Sequence, residues 1–136
     1  MSRRTARETA MKLIYEYGIT GQLTIDTLYD MPDILKKDKL TAENIAYIDH
    51  VIEAYPKWAS FIDENIQKYS ISWNIDRISK VDLAILRLAF FEMLDSDTPH
   101  TILVNEAVDL AKKYSSEKAS SFINGVIGGY LKENCS

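Results

Sequence analysis

The stretch "ISKVDLAILRLAFFEML", residues 78–94, sets the tightest limit on what this chain can fold into. Ser79 and Asp82 have capping-box spacing, with Asp standing in for the usual Glu or Gln, so a helix should begin here. Beyond the cap, Val81, Leu83, Ile85, Leu86, Leu88, Phe90, Phe91, Met93 and Leu94 point in almost every direction round the helix. Asp82, Arg87 and Glu92 are scattered instead of forming one polar face. A helix apolar on all sides has to be enclosed by neighbours. With only 5 Gly and 3 Pro in 136 residues, few tight turns are available, so a sandwich or barrel is disfavoured and the neighbours should be helices too.

The remaining segments agree. Ala6, Ala10, Leu13, Ile14 and Tyr17 form one apolar stripe at helical spacing, which Gly18 to Gly21 should end. A weaker segment spans about Ile25–Leu35, includes Pro32 and runs into the charged loop "KKDK". A further stretch carries Ile45, Ile48, Val51 and Ile52 behind a candidate N-cap, Thr41. Pro56 suits the first turn of the next helix, with Trp58, Phe61, Ile62, Ile66 and Tyr69. Helices from about Thr101 to Tyr114 and from about Glu117 to Lys132 complete the chain. No repeat, low-complexity tract or linker interrupts it, so residues 1–136 read as a single all-α domain of six to seven helices.

Several classes of function are disfavoured on composition and motif. Cys135 is the only cysteine, so no internal disulfide can form. "SRRTAR" has a twin arginine, but Arg7, Glu8, Lys12 and Glu16 break up the apolar run that an export signal needs. No other run approaches the roughly 20 apolar residues of a membrane span. A cytoplasmic location is expected. His50 and His100 have no neighbours at metal-ligand spacing, and phosphate-cradling glycine motifs are missing. "NGVIGG" has glycines but no preceding strand, and fits a closely packed helix better. No catalytic residue, metal or cofactor is assigned.

Charge is distributed unevenly. The totals are acidic, with 16 Lys+Arg against 20 Asp+Glu, yet Arg3, Arg4 and Arg7 crowd the start. At roughly 100° per residue, Arg3, Arg7 and Arg4 span an arc of about 100° beside the apolar stripe. Met11 and Tyr15 continue that flank along the helix. The arginines read either as solubilising charge on an exposed terminus or as a phosphate-binding arm, since guanidinium forks match phosphate oxygens. A second basic patch lies in "AKKYSSEKASSF", with Lys112, Lys113, Lys118, Ser115, Ser116, Tyr114 and Phe122. Cations interleaved with aromatics suit single-stranded RNA. Phe122 also fits a core position beside Val126, which makes Tyr114 the better candidate for base stacking.

Four stretches, in order, resemble the NusB family of bacterial transcription antitermination factors: "RRTARETAMKLIY", "WNIDRISKVDLAILRLAFFEML", "VNEAVDLAKKY" and "SSFINGVI". The resemblance covers almost the whole chain and implies an all-helical fold of two packed three-helix groups without enzymatic activity. It implies binding of boxA-type RNA in ribosomal leader transcripts together with NusE, a small-subunit ribosomal protein, so that RNA polymerase reads through terminators. By position, the RNA-contacting set would be Arg3, Arg4, Arg7, Lys113, Tyr114, Ser116, Lys118 and Phe122. The NusE-facing set would be Met11, Tyr15, Arg77 and Asp82. Asn105, Glu106 and Asn124 read as structural: Glu106 as a partner for a partly buried cation such as Arg87, Asn124 as a backbone ligand at a helix crossing. Gly125 beside it would allow close approach.

Two departures from the family pattern stand out. Ser115 occupies the place of a usual Gly, so the turn after "AKKY" should differ in shape. Gly128 and Gly129 replace a common acidic residue and should loosen the last helix. Two other readings remain open: a NusB-like domain of an rRNA cytosine methyltransferase, for which the chain leaves no catalytic domain, and a protein-binding adaptor or homodimer.

Overall fold

The computed structural model describes residues 3–22, 42–70 and 74–134. The segment about Ile25–Leu35, the "KKDK" loop and the candidate cap Thr41 lie outside them. Among the described residues there are five α-helices, α1 (Arg3–Thr20), α2 (Ala42–Tyr69), α3 (Lys80–Asp95), α4 (His100–Tyr114) and α5 (Glu117–Asn134), with one 3-10 turn at Ile75–Arg77 before α3. The fold is all-α. The chain divides into two compact units, Met1–Lys57 and Trp58–Ser136.

In the first unit, α1 buries its stripe as its spacing requires: Ala6, Ala10, Leu13 and Ile14 are fully inaccessible. Leu13 and Ile48 form a small core against which Tyr47 and Ile52 pack. Tyr17 meets Tyr55 edge to face, with ring centroids 5.6 Å apart. The helix stops where Gly21 turns to φ +76°, and its N–H bonds to the Tyr17 carbonyl at 2.8 Å. Gly18 still belongs to the helix.

α2 corrects the sequence expectation of a break at Pro56. The proline lies inside one continuous helix. It lacks the N–H that would bond one turn back, a defect that costs about 3 kcal/mol in a helix interior. The helix persists because its apolar positions keep phase across the proline: Ile48, Val51, Tyr55, Ile62 and Ile66 are all buried, and Pro56 itself is exposed.

In the second unit, α3 is the enclosed helix that its sequence demands. Every residue from Leu83 to Met93 except Arg87 is buried. Each fully buried Leu, Ile or Phe contributes about 1.5–3 kcal/mol. α3 packs on α4 and α5, which also pack on each other. Their inner positions are Leu103, Ala107, Leu110 and Ala111 on α4, and Ser120, Ile123, Val126, Ile127 and Tyr130 on α5. Tyr130 sits edge-on to Phe90 at 5.0 Å and to Tyr69 at 5.8 Å. The half-buried Arg87 is held by Asp63 through two bonds, Nε–Oδ1 at 2.9 Å and Nη2–Oδ2 at 3.0 Å. That carboxylate sits 24 residues away on α2.

Two glycine expectations are also revised. A Cβ on Gly125 would meet nothing within 4 Å, so no close approach occurs there. The tight place is Gly129, where a Cβ would come within 3.3 Å of the Tyr69 ring. α5 runs unbroken through Gly128 and Gly129 to Asn134, since Tyr130 anchors the far side of the glycine pair.

Candidate RNA and partner interface

The three N-terminal arginines do not form one exposed arc. Arg4 is exposed. Arg3 is half-buried: its Nη2 donates to Glu43 Oε1 at 3.3 Å and its guanidinium lies over the Tyr47 ring at 4.5 Å. Arg7 is only 7% exposed, and its neighbour on the same flank, Met11, only 4%. The cause is local. Every residue from Ala6 to Met11 is buried, so the covered face of α1 is wider than its apolar stripe and takes in the flank meant for Arg7 and Met11. Tyr15, one turn further on, is half-buried. The Arg3–Glu43 pair joins side chains 38% and 85% exposed, and such surface pairs are worth at most about 1 kcal/mol. A phosphate oxygen can therefore displace Glu43 at little cost.

In the second unit, the structure joins residues that the resemblance had assigned to different partners. A cleft of about 290 Å³ has Arg77, Ser79 and Asp82 on one wall and Ser116, Lys118 and Phe122 on the other. The first wall is built by two caps. Asn74 Oδ1 accepts from Asp76 N at 3.1 Å and starts the 3-10 turn that carries Arg77. Ser79 Oγ accepts from Asp82 N at 3.1 Å and starts α3. This is half of the expected capping box. The Asp82 carboxylate does not complete it: Oδ1 is buried and has no hydrogen-bond partner among the described residues. Asp82 lies in the first turn of α3. A buried carboxylate oxygen without a donor is costly, so this wall suits a ligand or partner that brings an N–H.

The second wall is the connection between α4 and α5. Ser115 has φ −133° and ψ −105°, outside the left-handed region, so the turn is made without the conformation that favours Gly. Ser116 Oγ accepts from Ala119 N at 3.0 Å and caps α5. Lys118 is exposed, while Phe122 is half-buried with part of its ring toward the cleft. Lys113 is exposed and carries its Nζ 5.4 Å from the centroid of the half-buried Tyr114 ring. This is a ring and cation arrangement suited to a base and its phosphate.

Sequence reasoning did not find Glu43, Tyr47 or Asp63, the groups that hold the arginines, because helix packing sets those pairings. Among the described residues no group of three or more His, Cys, Asp or Glu is placed to hold a metal, and no helix is long and apolar enough to cross a membrane.

Residues 4–132 match the model of the NusB family. The chain is 46% identical over 130 residues to the transcription antitermination protein NusB of Natranaerobius thermophilus, covering 93% of this chain and 92% of that one. Among solved structures it resembles T. maritima NusB, with a TM-score of 0.83, 26% identity and coverage of 100% and 94%. It also resembles a chain in a crystal structure of the antitermination factors NusB and NusE in complex with double-stranded RNA, with a TM-score of 0.78, 28% identity and 96% coverage of each. The match runs nearly end to end, and the relatives it meets are transcription antitermination proteins, so the chain belongs to the NusB family.

Proposed function

We propose that this protein binds boxA-type RNA in ribosomal leader transcripts together with NusE, and so helps RNA polymerase in the cytoplasm read through terminators in rRNA operons. The observation that carries the reading is the cleft of the second unit, where Asp82 and Arg77 face Ser116, Lys118 and Phe122. A partner donor can satisfy the orphaned Asp82 oxygen while RNA lies along Lys118 and the Phe122 and Tyr114 rings. Arg3 and Arg4 supply a second, electrostatic contact to phosphates, with Arg7 supporting α1 from its buried position. Tyr15 belongs to the partner-facing surface of the first unit, with the buried Met11 supporting α1 beneath it.

A gel-shift titration of boxA RNA against a scrambled control, at fixed salt and with or without NusE, tests the reading. A boxA-specific shift that NusE sharpens is the expected outcome. Equal binding of both RNAs, unchanged by NusE, would contradict it.

A further inference from the structure

The 3-10 turn Ile75–Arg77 brings Arg77 to the wall of the cleft, yet none of its three residues is buried. Packing does little to fix such a turn, so its place depends on hydrogen bonds. Three of these are local. Arg77 N donates to the Asn74 carbonyl at 2.8 Å, and Asp76 N to Asn74 Oδ1 at 3.1 Å. Ile78 N donates to the Ile75 carbonyl at 3.2 Å. They give the turn its shape but tie it to nothing else.

The remaining N–H, that of Ile75, donates at 2.8 Å to Oε1 of Gln67, eight residues earlier on α2. Among the described residues this is the one hydrogen bond that reaches Ile75–Arg77 from another element. At its far end the turn runs into Ile78, which is buried. Arg77 is thus held between two anchors, an apolar side chain just after it and a carboxamide bond just before it.

The bond is not there for stability. Gln67 is exposed near the end of α2, where its side chain would ordinarily keep its rotamer freedom in water. Water can replace an exposed bond of this kind at little cost. Position is a different matter. The Arg77 side chain is exposed and makes no hydrogen bond or ion pair among the described residues. A guanidinium offers its donors in a fixed fork, so the backbone that carries it has to be in register with whatever it meets.

We propose that Gln67 is a positioning residue for the partner surface: by holding Ile75 N it sets where Arg77 stands in the cleft, and so tunes the affinity for NusE. The inference rests on the assignment of Arg77 to the NusE-facing wall made above. Calorimetric titration of NusE into the intact chain tests it with Gln67→Ala, Gln67→Glu, Arg77→Ala and the Gln67→Ala/Arg77→Ala double variant. Gln67→Ala should weaken binding about fivefold, the effect of losing one hydrogen bond. Gln67→Glu keeps an acceptor oxygen at the same reach and should bind as wild type does. Arg77→Ala should weaken binding further, and adding Gln67→Ala to it should change nothing, since no guanidinium is left to position. The midpoint of thermal unfolding of Gln67→Ala should stay within about 3 °C of wild type.

The failures are distinguishable. If Arg77→Ala binds NusE normally, the reading of the cleft falls and the proposal falls with it. If Arg77→Ala weakens binding and Gln67→Ala does not, the proposal alone is overturned. An equal loss from Gln67→Ala with and without Arg77, or a loss that Gln67→Glu does not restore, also overturns it, because Gln67 would then act by another route. A fall in the midpoint beyond about 3 °C would show that the bond serves the fold instead.

Discussion

The N-terminal arm and the α3–α5 cleft both carry charge, but they hold it in opposite ways. In the arm, Arg3 is already paired with Glu43 and stacked on Tyr47, and Arg7 is buried. In the cleft, Asp82 keeps a buried carboxylate oxygen with no donor among the described residues. The arm is thus a surface whose internal pairs are weak and replaceable, suited to phosphates of any sequence. The cleft is a shaped hollow with one unmet bond, suited to a particular partner. Charge at the arm should set RNA affinity and its salt dependence, while the cleft should set which protein joins.

The largest effect is expected from Asp82→Lys. Removing one partner of a desolvated charge pair costs about 2–5 kcal/mol, so NusE affinity should fall by on the order of a hundredfold in a calorimetric titration. RNA binding without NusE should hold level or improve. Unchanged NusE affinity would remove the cleft from the partner surface.

A smaller effect is expected at the arm. Arg3→Ala combined with Arg4→Ala should weaken RNA about tenfold and reduce the slope of log affinity against log salt by about two, one per lost phosphate contact. A slope identical to wild type would show that these arginines touch no phosphate. Glu43→Gln works in the other direction. It frees the Arg3 guanidinium and should raise RNA affinity about two- to threefold at low salt, in line with a surface pair of under 1 kcal/mol.

The smallest effect lies away from both regions and serves as a control. Glu133 accepts bonds from Tyr69 and Lys68, in that order of influence, which hold its carboxyl below the ordinary range. The Lys68 ammonium is correspondingly raised, chiefly by its hydrogen bond to Glu133. The carboxylate's contribution is present above its unfolded pKa of about 4.3 and fades as pH falls through the lower folded value. That of the lysine is present below about 10.4 and fades as pH rises through the higher folded value. Both groups are exposed, so Lys68→Ala should barely change thermal stability at neutral pH and should leave RNA and NusE binding untouched. A large loss would mean that surface pairs matter more here than their solvation allows.

What could be read from the sequence divides along physical lines. Local periodicity and capping were legible: the enclosed α3, its Ser79 cap, the α1 stripe and its stop near Gly21 all follow from residues within one or two turns. The break expected at Pro56 shows the limit of reading one residue at a time, since the apolar phase across it already favoured a continuous helix. Pairings across helices were not legible. Nothing in the local pattern says that Arg87 meets Asp63, that Gly129 and not Gly125 takes the close contact, or that Arg7 is covered. The arginine start and the basic "AKKYSSEKASSF" patch were legible as charge, whereas the partner-facing roles of Arg77 and Asp82 came only from a resemblance. That Asp82 and Arg77 share a cleft with Lys118 and Phe122 depends on how α3 and α5 pack, which no spacing in the sequence encodes.

The most direct test of the division between arm and cleft is the binding of boxA RNA over a range of salt, with and without NusE, for wild type, the Arg3/Arg4 double variant and Asp82→Lys. The arm variant should show a flattened salt slope and still gain affinity when NusE is added. Asp82→Lys should keep the wild-type slope and lose that gain. If the two variants instead lose slope and NusE enhancement together, or neither loses either, the arm and the cleft do not have separate roles.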